Sequence, residues 1–82
     1  MIVRYQYPAT LEAEHGGRFT AYFDNLPGAT WGGSREEALA NAKDLLARAL
    51  EMLIEDGEDI PPPGTADGRP VVEADVETPD PG

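Results

Sequence analysis

One stretch of twenty residues limits the fold more than any other: Phe23-Asp24-Asn25-Leu26-Pro27-Gly28-Ala29-Thr30-Trp31-Gly32-Gly33-Ser34-Arg35-Glu36-Glu37-Ala38-Leu39-Ala40-Asn41-Ala42. It ends one strand, turns at Pro-Gly, runs a short second strand and opens a capped helix. Pro27 fixes one φ, and Gly28 is free to take a left-handed conformation, as a tight turn requires. Ala29 to Gly32 reads as a short strand. Ser34 then caps a helix: its hydroxyl accepts from the Glu37 amide, and the Glu37 carboxylate is expected to reach back to the Ser34 amide. Glu36 and Glu37 also suit the positive end of the helix dipole.

The helix pattern continues well past this stretch. Ala38, Leu39, Ala42, Leu45, Leu46, Ala49, Leu50 and Leu53 recur at three and four residues and form one apolar stripe. The helix is expected to run to about Asp56, with Gly57 as its left-handed stop. Such a helix is about 33 Å long at 1.5 Å per residue. Strands of ~20 Å do not cover it. Its last turns, with Met52, Leu53 and Ile54, therefore need a fourth strand, a second subunit, or both.

Upstream, Ile2 to Tyr7 alternates with period two. Val3, Tyr5 and Tyr7 face one way, and Ile2, Arg4 and Gln6 the other. Pro8 lacks an N–H, so the strand bends, bulges or lies at an edge there, and Thr10 to Ala13 resumes it. Glu14-His15-Gly16-Gly17 is a turn. Arg18 to Phe23 returns, with Phe19, Ala21 and Phe23 on one face and Arg18, Thr20 and Tyr22 on the other. After the helix, residues 61–68 are a Pro/Gly connector. Val71, Val72, Ala74 and Val76 suggest a final short strand within residues 69–77, and residues 78–82 are expected to be a disordered tail. The fold class is α+β: a three-stranded antiparallel meander, one long helix packed on it and a final strand, with residues 1–60 as the core.

Eighty-two residues make one domain, and one this small buries only roughly 60% of its unfolded surface. With no Cys, disulfides and thiolate metal sites are excluded, and oligomerisation, as a dimer or tetramer, is the expected support. No apolar run reaches the ~20 residues that span a bilayer, and the start has no signal-peptide pattern, so the cytoplasm is the default location. The net charge is -10, and nine of the sixteen acids lie at or beyond Glu55 against one base, Arg69. That balance either simply keeps the surface soluble, or repels nucleic acid and steers a basic partner inward.

No reaction centre emerges. His15 is alone in a turn, with no second His and no Cys to share a metal. Ser34 is explained by its capping role and has no base beside it. Gly16-Gly17 and Gly32-Gly33 lack the Lys-Ser/Thr of a phosphate loop. Glu55-Asp56-Gly57-Glu58-Asp59 lacks calcium-loop spacing. No cofactor and no enzymatic activity are expected. Tyr22 is placed on the open face of the sheet, either in ordinary half-exposed packing or as an interface anchor. With Asp24 and Asn25 in the adjoining turn and Trp31 on the next strand, it makes the candidate partner-binding set.

Several of these residues together carry a resemblance. Tyr7-Pro8-Ala9, Gly16-Gly17, Phe23 with Leu26-Pro27-Gly28, Gly32 with Ser34, Glu36-Glu37-Ala38, Asn41-Ala42, Leu50, and Asp56-Gly57 leading to Ile60-Pro61 stand in an order and spacing that resembles the N-terminal domain of HicB-type antitoxins. The resemblance implies a partly degraded ribonuclease-H-like βββαβ fold without catalysis. It also implies a partner, a small basic HicA-type toxin that cleaves mRNA and whose active site the domain masks. The resemblance also implies that full antitoxins of the family carry a C-terminal helix-turn-helix or ribbon-helix-helix segment that binds their own promoter. Only six residues follow Val76 here, so direct DNA binding is not expected. Where relatives often have Gly-Asp-Thr before the helix, this chain has Gly32-Gly33-Ser34. The alternative function is an orphan HicB-like homo-oligomeric assembly module with no toxin.

Overall fold

The computed structural model describes residues 1–79. The disordered tail expected over residues 78–82 lies, from Asp80 onward, outside the described residues. In chain order the elements are β1 (Ile2–Pro8), β2 (Thr10–Ala13), a 3-10 turn (His15–Gly17), β3 (Phe19–Tyr22), β4 (Ala29–Gly32), α1 (Arg35–Glu55) and β5 (Val71–Glu77). The protein is α+β, with the expected antiparallel meander β2-β3-β4, one long helix and a final strand.

Pro8 divides the first predicted strand between two ladders. β1 pairs antiparallel with β5 from Ile2↔Glu77 to Pro8↔Val71, and β2 pairs with β3 from Thr10↔Tyr22 to Ala13↔Phe19. Between them the Ala9 amide donates to the Pro70 carbonyl at 2.9 Å. Pro8 turns its nitrogen away from β5, and the ladder stops one residue on, where Pro70 has no N–H to return to Ala9; the chain then re-aims into the next ladder. The final strand, seven residues within the expected 69–77, matches β1 along its whole length.

The strand faces follow the predicted alternation. Tyr7, Ala21, Phe23, Val72, Ala74 and Val76 are buried with Leu26 and the helix residues Ala38, Ala42, Leu46, Ala49 and Leu50. Alanines at five of these core positions, with Ala9 buried beside them, let helix and strands approach closely. Tyr7 and Phe23 meet edge to face, with ring centroids 6.4 Å apart. The Tyr7 hydroxyl donates to the Pro61 carbonyl, which satisfies a buried polar tip and ties down the start of the connector. Burial, with a smaller contribution from Tyr5, raises its pKa above the ordinary value.

The helix ends are built from local chemistry. Ser34 Oγ accepts from the Glu37 amide at 3.1 Å, as predicted. The return bond differs: Glu37 Oε1 accepts from the Gly33 amide, 3.1 Å away, not from Ser34, because that donor is the one aimed at the carboxylate. At the far end Gly57 adopts φ 71°, and the Gly57 and Glu58 amides donate to the Ile54 and Leu53 carbonyls. This is a Schellman closure. Leu53 and Ile54 pack half-buried against the core, together with Ile60 from the chain just beyond, so part of the predicted overhang is covered within the chain. Met52 is not covered and stays 60% exposed. Among the described residues, no helix is long and apolar enough to cross a membrane.

Candidate partner-binding surface

The helix covers one face of the meander and leaves the other open. Along β2, β3 and β4 the open face presents two cross-strand rows, Thr10–Tyr22–Ala29 and Glu12–Thr20–Trp31. Tyr22 and Trp31 therefore share a face and are diagonal neighbours on adjacent strands. Trp31 is 58% exposed, and the Arg18 guanidinium lies over its ring, 5.3 Å from the centroid. The cation is attracted to the face of the indole, while the ring as a whole stays more exposed than buried. The Tyr22 hydroxyl donates to Glu12 Oε1 at 3.0 Å. That bond, more than desolvation or the charges of Glu12 and Asp24, raises the Tyr22 pKa, with Arg69 opposing.

Asp24 and Asn25 sit at the end of this face in a different setting. Asp24 Oδ2 accepts from Arg69 Nη1 at 2.9 Å, and Asn25 Nδ2 donates to the Pro62 carbonyl at 3.3 Å. Both side chains fasten the β3–β4 turn to the connector. Arg69 completes the clasp: Nη1 also donates to Thr10 Oγ1, Nη2 to the Thr65 carbonyl and Nε to the Ala66 carbonyl. Of the four predicted contact residues, the structure brings Tyr22 and Trp31 together on the open sheet. It places Asp24 and Asn25 at its margin, already engaged within the chain. Sequence reasoning missed Arg18, Glu12 and Arg69. Arg69 had a signal, being the one base in an acidic C-terminal third. Arg18 and Glu12 had none beyond their strand parity, since only the register places Arg18 near Trp31.

The second ladder carries its polar residues on the side away from the core. Arg4 Nε donates to Asp75 Oδ1 at 3.0 Å, Gln6 Nε2 to Glu73 Oε1 at 2.7 Å, and the Met1 amine to Glu77 Oε1 at 3.4 Å. The hydrogen bond from Arg4 outweighs the opposing desolvation and, with the charges of Arg4 and Lys43 adding to it, holds the Asp75 carboxyl below its usual value. Two shallow grooves flank the sheets. One, about 310 Å³, lies between β4 and α1, lined by Ala29, Thr30, Asn41, Asp44, Leu45 and Arg48. The other, about 390 Å³, lies between β1 and the Pro61–Pro63 run. Among the described residues no three His, Cys, Asp or Glu side chains converge as metal ligands, and no charged side chain is buried.

A helix-backed sheet with an aromatic, acid-fringed open face defines a small α+β domain whose chemistry lies in its surface. The chain belongs to the HicB-like antitoxin family: residues 6–76 match the family described as HicB_like antitoxin of bacterial toxin-antitoxin system. The family is one of antitoxins, not of enzymes. Among its relatives, Antitoxin HicB 1 of Photorhabdus laumondii is 46% identical over 65 residues, covering 78% of this chain and 42% of the relative. Antitoxin HicB 2 of the same organism is 41% identical over 61 residues, covering 73% of this chain and 43% of the relative. The chain thus spans less than half the length of the curated relatives it matches. No solved structure matches it significantly.

Proposed function

We propose that this domain neutralises a small basic HicA-type toxin ribonuclease by covering its active site. The observation that carries the reading is the family match across residues 6–76. The net charge of -10 supports it, because an acidic domain accelerates encounter with a basic, RNA-binding protein and competes for the surface that holds phosphates. Tyr22 and Trp31 are the proposed anchors: an exposed indole gains most when a partner desolvates it. Asp24 and Asn25 contribute at the margin of the contact, with their clasp to the connector retained. The same acidity opposes direct DNA binding by these residues. The cytoplasm is the proposed site of action, and a dimer or tetramer the proposed assembly.

A second reading, an assembly module with no toxin, is favoured by exposed Met52 on the helix and by exposed Ile2 and Val71 on the second ladder. Co-expression with the adjacent reading frame, tagged pull-down and sizing separate the two. The antitoxin reading expects recovery of a small basic ribonuclease, silent in the complex and active once freed. A homo-oligomer with nothing bound overturns it in favour of the assembly module.

A further inference from the structure

We propose that the outer edge of β5 receives an extended basic segment of the partner as an added strand. The inference starts from the ladder. At one end the Thr78 amide donates to the Met1 carbonyl, and the Met1 amine to the Thr78 carbonyl; at the other the Ala9 amide donates to the Pro70 carbonyl. In an antiparallel pair, residues alternate between those that exchange bonds with the partner and those that turn both groups away. Between these ends the bonded pairs are therefore Val3↔Val76, Tyr5↔Ala74 and Tyr7↔Val72. Val71, Glu73, Asp75 and Glu77 aim their N–H and C=O groups outward. Among the described residues β5 pairs with β1 alone, so this outer row is unpaired.

The other sheet edges offer less: the equally long outer row of β1, Ile2, Arg4, Gln6 and Pro8, sets Arg4 against a basic strand and has no N–H to give at Pro8. β2 and β4 have four residues each. On β4 the Trp31 carbonyl already accepts from Asn41 Nδ2 at 2.8 Å, and Gly32 is buried beside the helix start. β5 keeps seven residues available, and three of its four outward-bonding residues are acidic. Their side chains share the face that carries Arg4 and Gln6. A second copy of β5 laid antiparallel there would set carboxylates beside carboxylates, which is destabilising, so self-pairing is disfavoured. A strand with Lys or Arg at alternate positions meets complementary charge, while its intervening apolar residues extend the face of Val72, Ala74 and Val76. Main-chain bonds supply affinity and alternate side chains supply selectivity, as in other strand additions.

The inference deepens the antitoxin reading, and rests on it only for the identity of the partner. The test therefore uses a synthetic peptide alternating lysine and valine, titrated into the full chain and followed by amide NMR and hydrogen exchange. Slowed exchange at Val71, Glu73, Asp75 and Glu77 is expected, with no such effect from a peptide alternating glutamate and valine. Glu73→Pro removes an outward donor without touching a β1 bond and should abolish the protection. The double change Glu73→Lys with Glu77→Lys, which leaves the edge backbone intact, should weaken binding by about tenfold. Unprotected β5 amides, or affinity unchanged in both variants when their spectra remain folded, overturns the edge inference and leaves toxin capture standing. Protection of β5 by the peptide with no toxin captured overturns the antitoxin reading and leaves the edge standing.

Discussion

Gly32 and Ala38 are in backbone contact: a Cβ on Gly32 would stand 2.4 Å from the Ala38 amide nitrogen and 2.7 Å from the Glu37 carbonyl carbon. This contact seats the first turn of the helix on β4, and the Asn41 bond to the Trp31 carbonyl holds the next turn against the same strand. Neither obstructing atom belongs to a side chain that could swing aside. Gly32→Ala should destabilise the domain by about 1–3 kcal/mol, as overpacking does. Gly33, with nothing within 4 Å of its Cβ direction, is the control, and Gly33→Ala should stay within about 0.5 kcal/mol. Urea midpoints decide it, and equal midpoints for the two variants would dismiss the contact.

Arg69 joins segments far apart in the chain. Its guanidinium reaches Asp24, Thr10, Thr65 and Ala66, and its side chain is only 24% exposed. Arg69→Ala should lower stability by about 1–3 kcal/mol, because it leaves several acceptors without their donor. Amide exchange should quicken at residues 65–70, and Asp24→Asn should reproduce a fraction of the effect. If exchange in the connector is unchanged, the clasp contributes nothing.

The open-face assignment makes a separable prediction. Trp31→Ala and Tyr22→Ala should each weaken capture of the co-purified toxin by about tenfold or more, the scale of an interface anchor. Thermal stability should change little for Trp31→Ala, since the ring is mostly in solvent. Tyr22→Phe, which loses only the bond to Glu12, should bind better than Tyr22→Ala. Unchanged affinity in both alanine variants, read by calorimetry, removes this face from the interface.

Acid titration should expose the Arg4–Asp75 pair. The bond from Arg4 depresses the folded-state pKa of Asp75 below its ordinary 3.8. Its contribution is therefore present above the unfolded value and is lost as pH falls through the lower, folded one. Both side chains are well exposed, so the effect is small. Melting temperature followed from neutral pH down to about pH 3 should fall less steeply for Arg4→Gln than for the parent. Parallel curves would show the pair to be energetically silent.

The residues that carried the family resemblance prove to be largely architectural. Tyr7 bonds Pro61, Asn41 bonds Trp31, Gly32 admits the helix, and Gly57 ends it. They reveal the fold more directly than they reveal the partner's footprint. The proposed footprint rests on Tyr22 and Trp31, which the register places together on the open face of the sheet. Asp24 and Asn25 looked like free turn residues because the groups that engage them lie far along the chain.

Read alone, the sequence determined the strand faces, the Ser34 cap, the Gly57 stop and the break at Pro8. All of these are short-range: they follow from side-chain period, local sterics and hydrogen bonds spanning a few residues. Only the tertiary structure decided that β1 pairs with β5 over its full length, which leaves the acidic outer row of β5 unpaired. It also decided that Glu37 bonds Gly33, that Gly32 meets Ala38, and that Arg69 closes on Asp24 across 45 residues. Apart from the Glu37 bond, whose donor is chosen by the local backbone path, these depend on which distant segments share a register or a packing contact. No local periodicity encodes that choice, because it is settled by burial of the combined apolar face.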